Sequence, residues 1–133
     1  MNPGTDRAAI ITIALASLFA FVIGVAIGFI TTFTHRGIPP WGLVAGLVII
    51  TAAVLGFRLV FASRIIGAAA AAGVIGATAL LTLPGAGGTV FVLSDPIGYA
   101  WAIGPALLAV IALAWPNPAP SRKGSASRPR MES

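Results

Sequence analysis

From position 8 to position 32 the chain carries no charged residue and no proline. A helix of that length reaches about 37 Å at 1.5 Å per residue, enough to cross a ~30 Å hydrocarbon core with some tilt. The rest of the chain allows few alternatives. Only 8% of its 133 residues are charged and 58% are hydrophobic, whereas a soluble domain carries about 25% charged residues. A water-soluble fold this short has too much surface for its volume to hide so much apolar material. Lipid is the solvent that suits it. The composition therefore predicts one integral membrane domain over residues 1–116, with no room for a second. A signal peptide is the rival reading of the first segment. It requires a shorter apolar run, a small-residue cleavage site and a polar mature start. Here Ala14, Leu15 and Ala16 lie inside the run, and apolar sequence continues beyond them.

Prolines and arginines divide the chain beyond residue 32. Pro39 and Pro40 cannot extend a helix, since neither has an N–H to donate. Trp41 then opens a second segment, 41–60, at interfacial depth. A single helix over 41–83 would reach about 60 Å, twice the membrane core, so the chain must reverse within it. Arg58 and Arg64 mark the place, with guanidiniums expected to snorkel toward headgroups. Ser63 is the expected N-cap of the third segment, 65–83, which holds "GAAAAAGVIGA" and stops at Pro84. The fourth, 96–115, starts at Pro96 and ends before Pro116. Pro105, in its middle, removes one helical hydrogen bond and predicts a kink. The fold class expected is all-α: a four-helix membrane bundle. Residues 117–133, rich in Pro, Ser and basic side chains, lack the apolar content to order themselves and are expected to form a disordered basic tail.

Charge sets the orientation. Four crossings put both termini on one side, together with Arg7, Arg58, Arg64, Arg122, Lys123, Arg128 and Arg130; Arg36, beside His35, stands alone on the other. Excess Lys and Arg mark the cytoplasmic face. Both termini are therefore expected in the cytoplasm and the 33–40 and 84–95 loops outside. In the second loop, "PGAGG" is a turn sequence and "TVFVL" a short extended run. "SDP" reads as a helix start, with Asp95 at the N-cap and Pro96 at the first helical position. The alternative role for Asp95 is a proton or cation site, or a contact to a partner at the outer face.

Membrane helices associate where small residues let backbones approach, because lipid tails compete equally for apolar contact. Gly24 and Gly28 in the first helix, Gly42 and Gly46 in the second, and Gly73 and Gly76 in the third are the candidate packing residues. They would join the four helices to each other or leave a face for a second protein or a second copy. Arg58, Arg64, Arg122 and Lys123 are candidate contacts for anionic lipid or a partner at the inner face. Trp41, Tyr99, Trp101 and Trp115 fit an aromatic belt at the two interfaces, and the His35–Arg36 pair fits a solvated loop. Each threonine in the helices can bond its own helix carbonyls.

Several function classes lack the residues they need. No acid or base stands at mid-membrane depth, where transport or proton relay would require one, and the first helix lacks the glutamate that small multidrug exporters use. With no Cys and one His, neither a thiolate nor a metal cluster can be built, and no phosphate loop is present, so no cofactor and no catalytic activity are expected. The tail is short and without aromatics, which argues against nucleic acid.

The stretch "GGTVFVLSDPIGYAWAIGPALLAVIA" resembles the last third of a family of short four-helix actinobacterial membrane proteins known only as a domain of unknown function, with Gly98, Tyr99, Trp101 and Gly104 at the matching positions. The resemblance implies a high-GC Gram-positive source and a plasma-membrane address, and no activity. The function expected is that of an accessory subunit packed against a larger membrane complex, such as a respiratory-chain assembly. The alternative is a small self-assembling pore or permease of holin type.

Overall fold

The computed structural model describes residues 2–35, 37–83 and 96–116. Four α-helices follow one another: α1 (Pro3–Thr34), α2 (Trp41–Val60), α3 (Arg64–Thr82) and α4 (Pro96–Ala114). Each is long and apolar enough to cross a membrane, and no strand occurs among the described residues. The expected extended run and Asp95 in the 84–95 loop, together with Arg36 and the 117–133 tail with Arg122 and Lys123, lie outside the described residues.

α2, α3 and α4 match the apolar pattern to within a residue at both ends, and α1 does not. It begins at Pro3, five residues before the charge-free run. Pro3 occupies the first turn, where a missing N–H costs nothing, and Asp6 sits at the positive end of the helix dipole. Charge at Asp6 and Arg7 bounds the apolar segment without bounding the helix. At 32 residues, α1 spans about 48 Å, so its first turns extend past any ~30 Å core. α4 runs unbroken through Pro105, whose ring is buried.

The packing follows the small residues. α1 makes its most extensive contact with α3, the two running parallel: Ala20, Ile66 and Ala70 form one buried cluster, and farther along Gly28 faces Val74 and Ala77. α2 and α4 form a second parallel pair, and α3 runs antiparallel to α2, with Val54, Ala71, Ala109 and Ala112 in one cluster and Ile50, Val74 and Trp101 in another. One end of the bundle, here the Arg58 end, therefore carries the starts of α1 and α3 and the ends of α2 and α4. The opposite end carries His35 and the start of α4. Large apolar side chains such as Leu18, Val48, Leu80 and Val110 point outward all round.

Only Phe61, Ala62 and Ser63 join α2 to α3. Ala62 has φ 47°, the left-handed region, which places a Cβ against the following carbonyl. Ser63 stands at the N-cap position with extended backbone, but its side chain makes no capping bond. Its carbonyl instead accepts from the Gly67 N–H at 3.3 Å. Replacing Ala62 with glycine should remove the strain and stabilise the fold by about 0.5–1 kcal/mol, after the greater freedom of glycine in the unfolded chain is subtracted. Denaturant titration in detergent would show this as a higher midpoint.

Candidate functional site

Seams between helices come first, because they set every side chain in the interior. A Cβ at Gly24 would overlap the Ala70 carbonyl, and a Cβ at Gly73 would overlap the Phe21 carbonyl while meeting Val25 N at 2.8 Å. Each of these glycines thus admits the other helix's backbone, and the α1–α3 seam is reciprocal. Gly28 continues it, with a Cβ there 2.8 Å from the Val74 carbonyl. Gly42 serves a different contact: its Cβ would meet the carbonyls of His35 and Thr34 at 2.7 and 2.8 Å, so it lets the start of α2 close onto the end of α1. Gly46 makes room for Trp101, whose ring would lie 2.8 Å from its Cβ. Gly76 is the exception among the six candidate packing residues. Nothing lies within 4 Å of where its Cβ would be.

At the His35 end the interior is polar. Sequence position alone suggests a solvated His35 and a belt role for Trp101; both are instead buried. Their rings stack with centroids 4.8 Å apart and planes 9° from parallel. The Trp101 indole N–H donates to Thr32 Oγ1 at 3.2 Å, and that hydroxyl donates to the Gly28 carbonyl at 2.6 Å. The His35 Nδ1 donates to the Thr32 carbonyl, which fixes the proton on Nδ1 in the neutral ring and leaves Nε2 as an acceptor. Nε2 is buried without a hydrogen-bond partner among the described residues. Trp41, Tyr99 and Trp115, by contrast, are exposed as belt residues would be. Of the positions carrying the family resemblance, Gly98 and Trp101 are buried, Gly104 lies against Leu47, and Tyr99 faces outward.

Arg58 departs most from expectation. A residue at the end of an apolar segment would snorkel to the headgroups, yet Arg58 is buried, with its stem against Gly67. Its two terminal nitrogens donate to the carbonyls of Ala112 and Trp115. They belong to the last turn of α4 and to the residue just after it, where the helix's final carbonyls lack partners within it and carry the negative end of its dipole. One guanidinium thus caps α4 from a neighbouring helix. Arg64, first residue of α3, is exposed and matches the expected surface position.

Most helix threonines bond locally, whereas Ser17 Oγ is buried without a hydrogen-bond partner among the described residues. The hydroxyls of Thr12, Thr31, Thr51, Thr78 and Thr82 each donate to the carbonyl four residues earlier, at 2.6–2.9 Å. Bonds of this kind satisfy a hydroxyl without a neighbour and present nothing to a pathway between helices.

Sequence reading missed the buried status of His35, Arg58 and Trp101, although a signal for each was present. In α2 the buried residues are Gly46, Ile50, Val54 and Arg58, one every four positions. In α1, Ala20, Gly24, Gly28 and Thr31 lead on to His35 in steps of three or four. Trp101 belongs to the stripe Gly98, Trp101, Pro105, Ala109 and Ala112. Extending each small-residue stripe by one more turn would have placed all three inside. No family model, no curated protein and no solved structure matches this chain.

Proposed function

We propose that this chain is a small, non-catalytic subunit of the plasma membrane, inserted through all four helices with both termini in the cytoplasm, and that it docks beside a larger membrane assembly. Seven of the eight basic residues fall on the side given to the cytoplasm, and that bias supports the orientation. One observation carries the docking role. The outward edge of α3 presents Ala68, Ala72, Gly76 and Ala79, all exposed, while its inward edge is consumed by α1, α2 and α4. A small-residue edge offers lipid chains few contacts and another helix a close approach. The glycines at Gly24, Gly28, Gly42, Gly46 and Gly73 are used within the bundle, whereas this edge is left over.

A pore or permease finds less support, because the threonine hydroxyls that would line a path are bonded to their own helices. Purification from native membranes in mild detergent tests the reading, with co-migrating membrane proteins in fixed ratio as the expected result. Gly76→Leu fills open space at the proposed edge and should cost the isolated chain less than about 0.5 kcal/mol, as an exposed substitution does. The same variant should lose the partners. Migration of the unaltered chain alone would refute the docking role.

A further inference from the structure

α2 and α4 pack together along one face, where Val54 shares a buried cluster with Ala109 and Ala112, and leave a gap on another. Toward the His35 end, Trp101 fills the space opposite Gly46, and Leu47 lies against Gly104. At the other end Arg58 reaches across to the last turn of α4. Between these levels an apolar groove opens on the outer surface of the pair. Its first section, about 460 Å³, begins at Val44, and its second, about 670 Å³, ends at Arg58 and Trp115. Thr51, Leu55 and Leu108 line both sections, so the groove is continuous. From Val44 to Arg58 it runs about 21 Å at 1.5 Å per residue, longer than the ~15 Å of one leaflet's hydrocarbon.

Chemistry narrows the occupant. Apolar walls do not hold water, and an empty groove forfeits dispersion contacts along its length. The filling must therefore be a flexible apolar chain. One end of the groove is lined by a guanidinium, with exposed Arg64 at the same end of the bundle. A chain with an acidic head fits that polarity. The protein's own 117–133 tail does not, since its Arg122, Lys123, Arg128 and Arg130 would meet like charge.

We propose that the α2–α4 groove is a binding site for one anionic phospholipid, with an acyl chain along Leu55 and Leu108 and the phosphate at the Arg58 end. The proposal rests on the reading that the bundle sits in a bilayer. The selectivity asked of Arg58 is electrostatic. One basic group at headgroup level gives about a five-fold preference for an acidic lipid over a zwitterionic one.

Trp115 lies at the mouth of the groove and reports on it. In full-length Trp41→Phe protein, Trp115 is the remaining exposed indole, since Trp101 is buried. The chain is reconstituted in vesicles containing either brominated phosphatidylglycerol in unlabelled phosphatidylcholine, or the reverse. Brominated phosphatidylglycerol should quench Trp115 with an association about five-fold stronger than that of brominated phosphatidylcholine. Arg58→Gln should bring the ratio near one. Because that change also uncaps α4, Thr51→Phe provides a second variant: it plugs the groove at a residue common to both sections, leaves Arg58 in place, and should abolish the preference. Equal quenching by the two lipids in the unaltered groove overturns this proposal alone. Absence of quenching by either lipid overturns the bilayer reading beneath it.

Discussion

Trp101→Ala should destabilise the bundle by about 3 kcal/mol, the low end of the range for buried Trp→Ala changes. The low end applies because the apolar surroundings of a detergent micelle, unlike water, give little reward for hiding apolar surface, so the loss is dominated by the cavity and by broken contacts. Trp101 is fully buried, packs with Ile50 and Val74, fills the space that Gly46 leaves open and stacks on His35. None of these neighbours can follow the vacated volume, since each is held by its own helix. Unfolding by SDS titration of the detergent-solubilised protein, followed by circular dichroism, would measure the loss. Trp101→Phe separates volume from polarity. It keeps most of the ring and removes the N–H that Thr32 Oγ1 accepts, a loss of about 1 kcal/mol. A full-size effect from the phenylalanine variant would mean that the indole bond, rather than the packing, holds this end together.

Gly24→Val should be at least as damaging, by a different mechanism. Its first added carbon already overlaps the Ala70 carbonyl, which is backbone and cannot rotate away. The two further methyl groups of valine force α1 from α3 along the seam that also holds Gly28 and Gly73. Overpacking of this kind costs about 3 kcal/mol or more. Because the chain has no cysteine, Ala20→Cys gives a clean probe of the seam. Ala20 is fully buried against Ile66 and Ala70. A maleimide should not react at that position in the parent bundle and should react once Gly24→Val has opened it. Gly76→Val, on the opposite edge of α3, serves as the control and should leave the probe protected.

How much of this was legible beforehand depends on which coordinate is asked for. Position along each helix was readable from chemistry: prolines and arginines end helices for local reasons, and the turn at 61–63 was placed by the length of a membrane crossing. Rotation about each helix axis was harder. Arg58 at the end of an apolar segment looks the same whether it points to headgroups or to a neighbouring helix. The choice is made by the carbonyls of Ala112 and Trp115, more than fifty residues away in sequence. Trp101 was ambiguous in the same sense, since a tryptophan near an interface suits a belt or a core equally. The opposing gap at Gly46 decides it. For the start of α1, charge was mistaken for an end of the helix, when Asp6 and Arg7 end only its apolar part.

The pairing of α1 with α3, and of α2 with α4, bears on how the chain is born. Neighbours in sequence are not the principal partners, so no hairpin can finish its packing early. Gly24 waits for Ala70, about fifty residues later, which at 5–20 residues per second is roughly 2–10 s of synthesis. Throughout that interval α1 stands with its glycine groove unfilled, and α2 waits likewise for α4. The two halves of the polypeptide interleave like the fingers of clasped hands, and the structure closes only when the last helix has arrived.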